Sequence, residues 1–195
     1  MNIKAFILCH PKEIEQTRIV AQYYRQFMDV EVSVKDFMLV KEHEARNEGL
    51  EKLKDCDFVL TVDSDEIICI KDMEWIVSTK GTRFQIFLAK LIDYMLPDEV
   101  LKTQREHCPV ILVKPNIKFY ENRCIYGEAF VLPIEIHHLS CIFNDRILRN
   151  QKRYKDQGLS EYAGLQNILS GERKKITPPK EVSEIIGKIL EVYNE

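Results

Sequence analysis

The chain has 195 residues, 45% hydrophobic and 30% charged, with 28 Lys+Arg against 31 Asp+Glu and a formal net charge of -3. At about 100–200 residues per domain this is one globular domain, or one with a small addition, and it is too apolar for a disordered chain. No apolar run approaches the roughly 18–20 residues of a membrane helix, no secretory leader pattern opens the chain, and the charge balance argues against a nucleic-acid binder.

In chain order, Ile3–Cys9 is an apolar run ending at His10-Pro11, which predicts a buried strand stopped by a turn. Helical spacing covers Glu13–Phe27, with Ile14, Ala21 and Tyr24 on one face. Val30–Val34 alternates apolar and polar residues like a half-covered strand, Lys41–Lys54 is charged and helix-prone, and Phe58–Val62 is a second apolar strand. Strands separated by helices predict βαβ units and a parallel sheet. Further on, Phe84, Phe87, Leu88, Leu91 and Met95 recur at helical spacing, so Phe84–Met95 is predicted to be an amphipathic helix. Short strands are expected at Val110–Val113, Ile117–Tyr120, Cys124–Tyr126 and Phe130–Ile136, and helices at Asp145–Asp156 and Ser183–Tyr193. The six cysteines form no C-x-x-C pair and mostly sit in or beside apolar runs, which predicts reduced, structural thiols and a cytoplasmic protein.

The sharpest local feature is Phe58-Val59-Leu60-Thr61-Val62-Asp63-Ser64-Asp65-Glu66, an apolar strand that runs into two carboxylates one residue apart. At the carboxyl end of a parallel strand, such side chains emerge into the crevice where α/β sheets bind ligands. Two carboxylates there suit a hard divalent cation, Mg2+ or Mn2+, which shares its other positions with water and phosphate oxygens. Asp-Ser-Asp is also an ordinary polar turn. A phosphohydrolase would use the pair as nucleophile and acid, but that chemistry normally follows the first strand of a sheet, and this pair follows the third.

Upstream of the strand stands Ala45-Arg46-Asn47-Glu48-Gly49-Leu50, and far downstream Ile134-Glu135-Ile136-His137-His138-Leu139-Ser140 leads into a charged segment. In this order the blocks resemble GT-A glycosyltransferases, especially family-2-like enzymes, over residues 1–160. Size and texture are similar to a compact viral or archaeal member, which would place the protein in a host cytoplasm. The resemblance implies an α/β, GT-A-like fold: a mixed, mostly parallel sheet flanked by helices. It implies a catalytic domain over 1–160, with a nucleotide-sugar half at 1–70 and an acceptor half at 71–160, and a C-terminal helical appendage at 161–195. The implied activity is a metal-dependent glycosyltransferase of hexosyl type, inverting, that moves a sugar from a nucleoside diphosphate sugar to an acceptor hydroxyl of a glycan, protein or lipid. The alternative is a non-catalytic nucleotide- or glycan-binding module of the same fold.

Residue by residue, the resemblance implies that Cys9, His10, Asp36, Arg46, Asp63 and Ser64 face the nucleotide sugar. It implies Asp63, Asp65 and His138 as ligands of Mn2+ or Mg2+. The chain departs from the family pattern at Cys9-His10-Pro11 and Lys35-Asp36-Phe37, which leaves the nucleotide base open. An inverting transferase needs a carboxylate to deprotonate the acceptor. Glu128, after Gly127, and Asp145, shortly after His138, are the candidates, with Asp93 and Asp98 behind them.

Neighbours in a strand face opposite ways, so His137 and His138 are not expected to line one site. Arg146, Arg149 and Arg153 fall on one helical face, either solvated or turned to an anionic partner such as diphosphate, lipid phosphate or a membrane surface. Trp75, beside Met73 and Ile76, is either an acceptor-side platform or an ordinary partly buried tryptophan. So short a chain leaves the acceptor face open, or completed by a second subunit or a peripheral membrane contact.

Overall fold

Strand β1 (Ile3–Cys9) runs through the middle of the fold, with neighbours β2 (Asp29–Val34) and β3 (Phe58–Asp63) parallel to it on either side. The computed structural model describes residues 2–78, 83–102, 108–121, 123–142, 144–156 and 169–194. Helix α1 (Ile14–Tyr24) connects β1 to β2, and α2 (Glu42–Lys52) connects β2 to β3. The two helices cover opposite faces, as the alternation of β1 shows. Ala5 and Ile7 pack in one apolar cluster with Val20, Ala21 and Tyr24 of α1. Phe6 and Leu8 pack in another with Ala45 and Leu50 of α2. At Gly49 a Cβ would stand 2.2 Å from the Phe6 ring, so only glycine lets α2 approach β1 this closely.

Beyond β3 come β4 (Glu66–Ile68), α3 (Ile70–Ser78), β5 (Ile86–Leu96), β6 (Glu99–Leu101) and β7 (Val110–Val113). They are followed by the hairpin β8 (Phe119–Glu121) and β9 (Cys124–Ile125), then by β10 (Ala129–His138), α4 (Asn144–Asp156), β11 (Arg173–Lys175) and α5 (Lys180–Asn194). Among the described residues the main sheet has nine strands, in the order β11-β6-β5-β7-β3-β1-β2, with β10 joining β5 and β4. Following the pairings from β1, six strands (β1, β2, β3, β5, β10 and β11) point one way and β4, β6 and β7 the other. This is the α/β class expected, with a mixed sheet mostly parallel in strand direction and helices packed on it.

The segment expected to be an amphipathic helix over Phe84–Met95 is instead the central strand β5. Of its residues only Lys90 and Leu96 are exposed, because β7, β6 and β10 flank it and both its faces are covered. A strand buried on both faces is apolar almost throughout, so its residues satisfy helical spacing as readily as a period of two. Past residue 160, the described residues 169–194 pack on the same sheet and core. β11 pairs with β6, and Val182, Ile185, Ile186 and Ile189 of α5 enter the cluster that holds Ala5 and Ile7. Cys9, Cys56, Cys69 and Cys141 are buried and Cys108 and Cys124 partly so, all as free thiols. Among the described residues no helix is long and apolar enough to cross a membrane.

Candidate functional site

Chain order takes β2 to one side of β1 and β3 to the other, so the sheet has its switch point at the carboxyl ends of β1 and β3. There β3 delivers Asp63, and the chain turns through Ser64 and Asp65 into β4. The turn is pinned from both directions. The Asp63 backbone N–H donates to Glu66 Oε2 at 2.9 Å, and the Leu139 N–H donates to the Asp65 carbonyl at 2.9 Å.

Two arginines grip the first carboxylate. Arg46, a fully buried side chain on α2, donates through Nη2 to Asp63 Oδ1 at 2.7 Å and to Glu42 Oε1 at 2.8 Å. Arg123, from the β8–β9 hairpin, has Nη1 3.7 Å from Asp63 Oδ2 and donates to Glu66 Oε1. Its Nη2 also donates to the carbonyls of Thr61 and Val110, each at 2.9 Å. Burial pushes the Asp63 carboxyl up, but Arg46 and Arg123 outweigh it and hold the group well below the usual carboxylate range. Glu66 shifts the other way, raised chiefly by burial.

The second carboxylate belongs to α4 and β10. Arg146 Nη2 is 2.9 Å from Asp65 Oδ1, and its Nη1 donates to Glu13 Oε2 at 3.0 Å and Ser64 Oγ at 3.1 Å. Ser64 Oγ in turn donates to Glu13 Oε2 at 2.7 Å. On the other side of Asp65, His138 Nε2 is 3.2 Å from Oδ2, while His138 Nδ1 is 2.7 Å from Asp93 Oδ1. Burial opposes the imidazolium, but Asp65 and Asp93 raise the His138 pKa to about 10. Both Asp65 oxygens are buried, and against the effect of burial Arg146 and His138 hold its carboxyl below the usual carboxylate value. Arg149 completes this side by donating to Glu13 Oε1 at 2.5 Å.

On the β2 side, His10 accepts from the Lys12 N–H at 3.1 Å and caps the short 3-10 turn Pro11–Glu13. Its Nε2 is 3.7 Å from Asp36 Oδ1, and its ring lies 6.2 Å from that of Phe37. Arg153 stands over Phe37 at 5.4 Å and 3.6 Å from Glu42, which links this corner to Arg46. Cys9 is buried beneath, its Sγ accepting from Thr17 Oγ1 at 2.9 Å, and burial raises its thiol pKa.

The structure therefore brings Cys9, His10, Asp36, Arg46, Asp63, Ser64, Asp65 and His138 into one connected site. It does not bring in Glu128, an exposed residue 3.6 Å from Arg83, just before β10 begins. At ~3.3 Å per residue the length of β10 puts Glu128 roughly 30 Å from His138. Asp145 lies in the first turn of α4, and its side chain is outside the described residues. Trp75 is exposed on α3, whereas Met73 and Ile76 beside it are buried.

The divalent-metal set expected at Asp63, Asp65 and His138 does not fit this geometry. The two aspartates turn to different arginines, and both His138 ring nitrogens already face carboxylates, Nε2 at 3.2 Å from Asp65 and Nδ1 at 2.7 Å from Asp93. Among the described residues no three His, Cys, Asp or Glu side chains converge on one point as ligands.

Several participants carry no local signal. Glu13, Glu42 and Arg123 reach the site only through tertiary contacts, and Asp93, named in the sequence only as a reserve base, enters it as the partner of His138. The arginine face of α4 was visible in its spacing, and of its two readings the structure rejects the solvated one. Arg146, Arg149 and Arg153 are 12%, 26% and 11% exposed. The motif residue Asn47 takes a structural role: its amide donates to the Phe119 carbonyl and accepts from the Phe119 N–H, both at 2.8 Å, and so clamps the hairpin that carries Arg123.

No protein family and no curated protein matches the sequence. Solved structures that resemble the fold include A197 from STIV, at 12% identity and TM-score 0.37, over 58% of this chain and 65% of that one. Another is HddC from Yersinia pseudotuberculosis, at 8% identity and TM-score 0.40, over 75% and 96%. A third is the inositol-1-phosphate CTP transferase from T. maritima, at 9% identity and TM-score 0.34, over 96% of both chains. The chain thus spans just under two thirds of A197, and likenesses this distant carry no functional argument.

Proposed function

We propose that this chain is a transferase that binds a nucleoside diphosphate sugar and passes the sugar to an acceptor hydroxyl. One observation carries the reading: guanidinium groups from α2, α4 and the β8–β9 hairpin converge at the switch point of an α/β sheet. Within that cluster Arg46 Nη1, Arg123 Nε and Arg153 Nε are buried N–H donors with no partner among the described residues. A ligand rich in phosphate oxygens satisfies such donors, and Arg is the side chain suited to hold them. The Phe37, His10 and Asp36 corner supplies an aromatic and hydrogen-bonding wall of the kind a base and ribose need.

In the proposed reaction the acceptor oxygen attacks the anomeric carbon as the bond to the diphosphate oxygen breaks. The arginines stabilise the charge that gathers on the leaving diphosphate. The acceptor proton passes to a carboxylate, and Asp145, one residue before Arg146, is the proposed base in preference to the distant Glu128.

A thermal-shift screen of nucleoside diphosphates and their sugars tests the reading, because a ligand of the native state raises the melting temperature by mass action. At least one nucleotide is expected to raise it, and Arg46→Lys to weaken that rise. If none does, the reading falls. If one does, slow donor hydrolysis without acceptor separates a transferase from a module that binds without turnover.

A further inference from the structure

We infer that Arg146 is the resident cation of the Asp63-Ser64-Asp65 turn, standing where a divalent metal would have to sit, so that the protein holds a diphosphate without one. The diphosphate part rests on the proposed function; the place of Arg146 rests on geometry alone.

A bridging metal draws oxygens from separate chain segments onto one centre, and here a guanidinium does so. Its two terminal nitrogens reach Asp65 Oδ1 at 2.9 Å, Glu13 Oε2 at 3.0 Å and Ser64 Oγ at 3.1 Å, which joins the turn after β3 to the turn after β1. A metal bound to Asp65 Oδ1 at about 2.0–2.1 Å would lie against this fixed positive charge. Asp63 offers no second ligand, because Arg46 and Arg123 face its two oxygens. The two aspartates therefore do not form a chelate.

Arg146 is not a stray surface side chain that happens to fold inward. Its helix is fastened to the body by two further ion pairs on the same face, Arg149 to Glu13 and Arg153 to Glu42. The spacing of these arginines at three and four residues sets all of them toward the site. Removing the Arg146 guanidinium leaves Asp65 and Glu13 without their shared cation, and two such carboxylates beside Ser64 are hard oxygen ligands suited to Mn2+ or Mg2+.

The test is a Mn2+ titration of the full chain, followed by the electron paramagnetic resonance of free Mn2+, on the wild type, Arg146→Ala and Arg146→Ala/Asp65→Asn. The wild type is expected to show no saturable Mn2+ binding below millimolar concentration. Arg146→Ala is expected to bind Mn2+ at least tenfold more tightly, and Asp65→Asn to abolish the gain. In parallel, the melting-temperature rise that a nucleoside diphosphate gives the wild type is expected to be equal in EDTA and in Mn2+. Saturable Mn2+ binding by the wild type that Asp65→Asn removes overturns the inference, as does a nucleotide shift that requires Mn2+. So does a folded Arg146→Ala that gains no Mn2+ affinity. If that variant does not fold, Arg146→Gln replaces it and the wild-type titration still decides. If no nucleotide shifts the wild type under either condition, the proposed function fails, and the Mn2+ titration judges Arg146 independently.

Discussion

Of two adjacent histidines on β10, His137 lies in an apolar interior between Cys69 and Tyr94, and His138 in a charged one between Asp65 and Asp93. Strand alternation alone separates them. Burial without a carboxylate partner lowers the His137 pKa to about 4, whereas the two aspartates raise that of His138 to about 10 despite its burial. One sheet thus encloses two kinds of interior. The first excludes charge, and the second is built from charge. In the second, the acids Asp63, Asp65, Glu66, Glu13, Glu42 and Asp93 are matched by Arg46, Arg123, Arg146, Arg149, Arg153 and the His138 imidazolium.

The sharpest way to break this contrast is to remove a cation from the charged interior. Arg46→Ala leaves Asp63 and Glu42 short of their fully buried partner and is expected to cost about 3–5 kcal/mol of unfolding free energy. Urea unfolding measures it, and a loss below about 1 kcal/mol would mean that the carboxylates find solvent instead.

The two histidines make the contrast visible in pH. Because the folded-state pKa of His138 lies above its unfolded value near 6.5, its contribution is complete below that pH and is lost as pH rises toward 10. For His137 the folded value lies below the unfolded one, so stability is complete above pH 6.5 and falls as pH drops toward 4. At about 1.4 kcal/mol per pH unit the acid arm amounts to roughly 3 kcal/mol, and the alkaline arm, over a wider interval, is the larger. His138→Gln should flatten the alkaline arm and His137→Gln the acid one, read as unfolding midpoints between pH 5 and 9. Identical profiles for the two variants would erase the distinction between the interiors.

The smallest effect is expected at an exposed ion pair. Arg18 and Glu15 on α1 meet at 2.6 Å, with side chains 72% and 55% exposed. Water screens such a pair, so Arg18→Ala should change stability by at most about 1 kcal/mol. A loss matching that of Arg46→Ala would show that burial is not what sets the scale.

Much of the apolar interior was legible from local pattern. The runs at Ile3–Cys9 and Phe58–Val62 report their own burial, as do Ala21 and Tyr24 on α1, whereas Ile14 is exposed. In the alternating Val30–Val34 the buried residue is Ser33, while Val34 is exposed. The block Ala45–Leu50 was legible as a motif, and its parts have separate physical reasons. Ala45 and Leu50 are core, Gly49 admits the Phe6 ring, Arg46 enters the charged interior and Asn47 clamps the hairpin. Strand β5 was misread because burial on both faces removes the polar punctuation that reveals a period.

By itself, then, the sequence determined the order of strands and helices around β1, the placement of the acidic turn at the end of β3, and the shared face of Arg146, Arg149 and Arg153. Each is a property of neighbouring residues, set by strand alternation, helical repeat or the end of an apolar run. Only the tertiary structure decided what those charged groups meet. Glu13 lies 133 residues from Arg146, and Arg123 lies 57 from Glu66. An aspartate in a turn has the same local pattern whether it faces water, a metal or a guanidinium. Which of these it faces depends on side chains delivered by distant segments, and at this site those side chains are arginines.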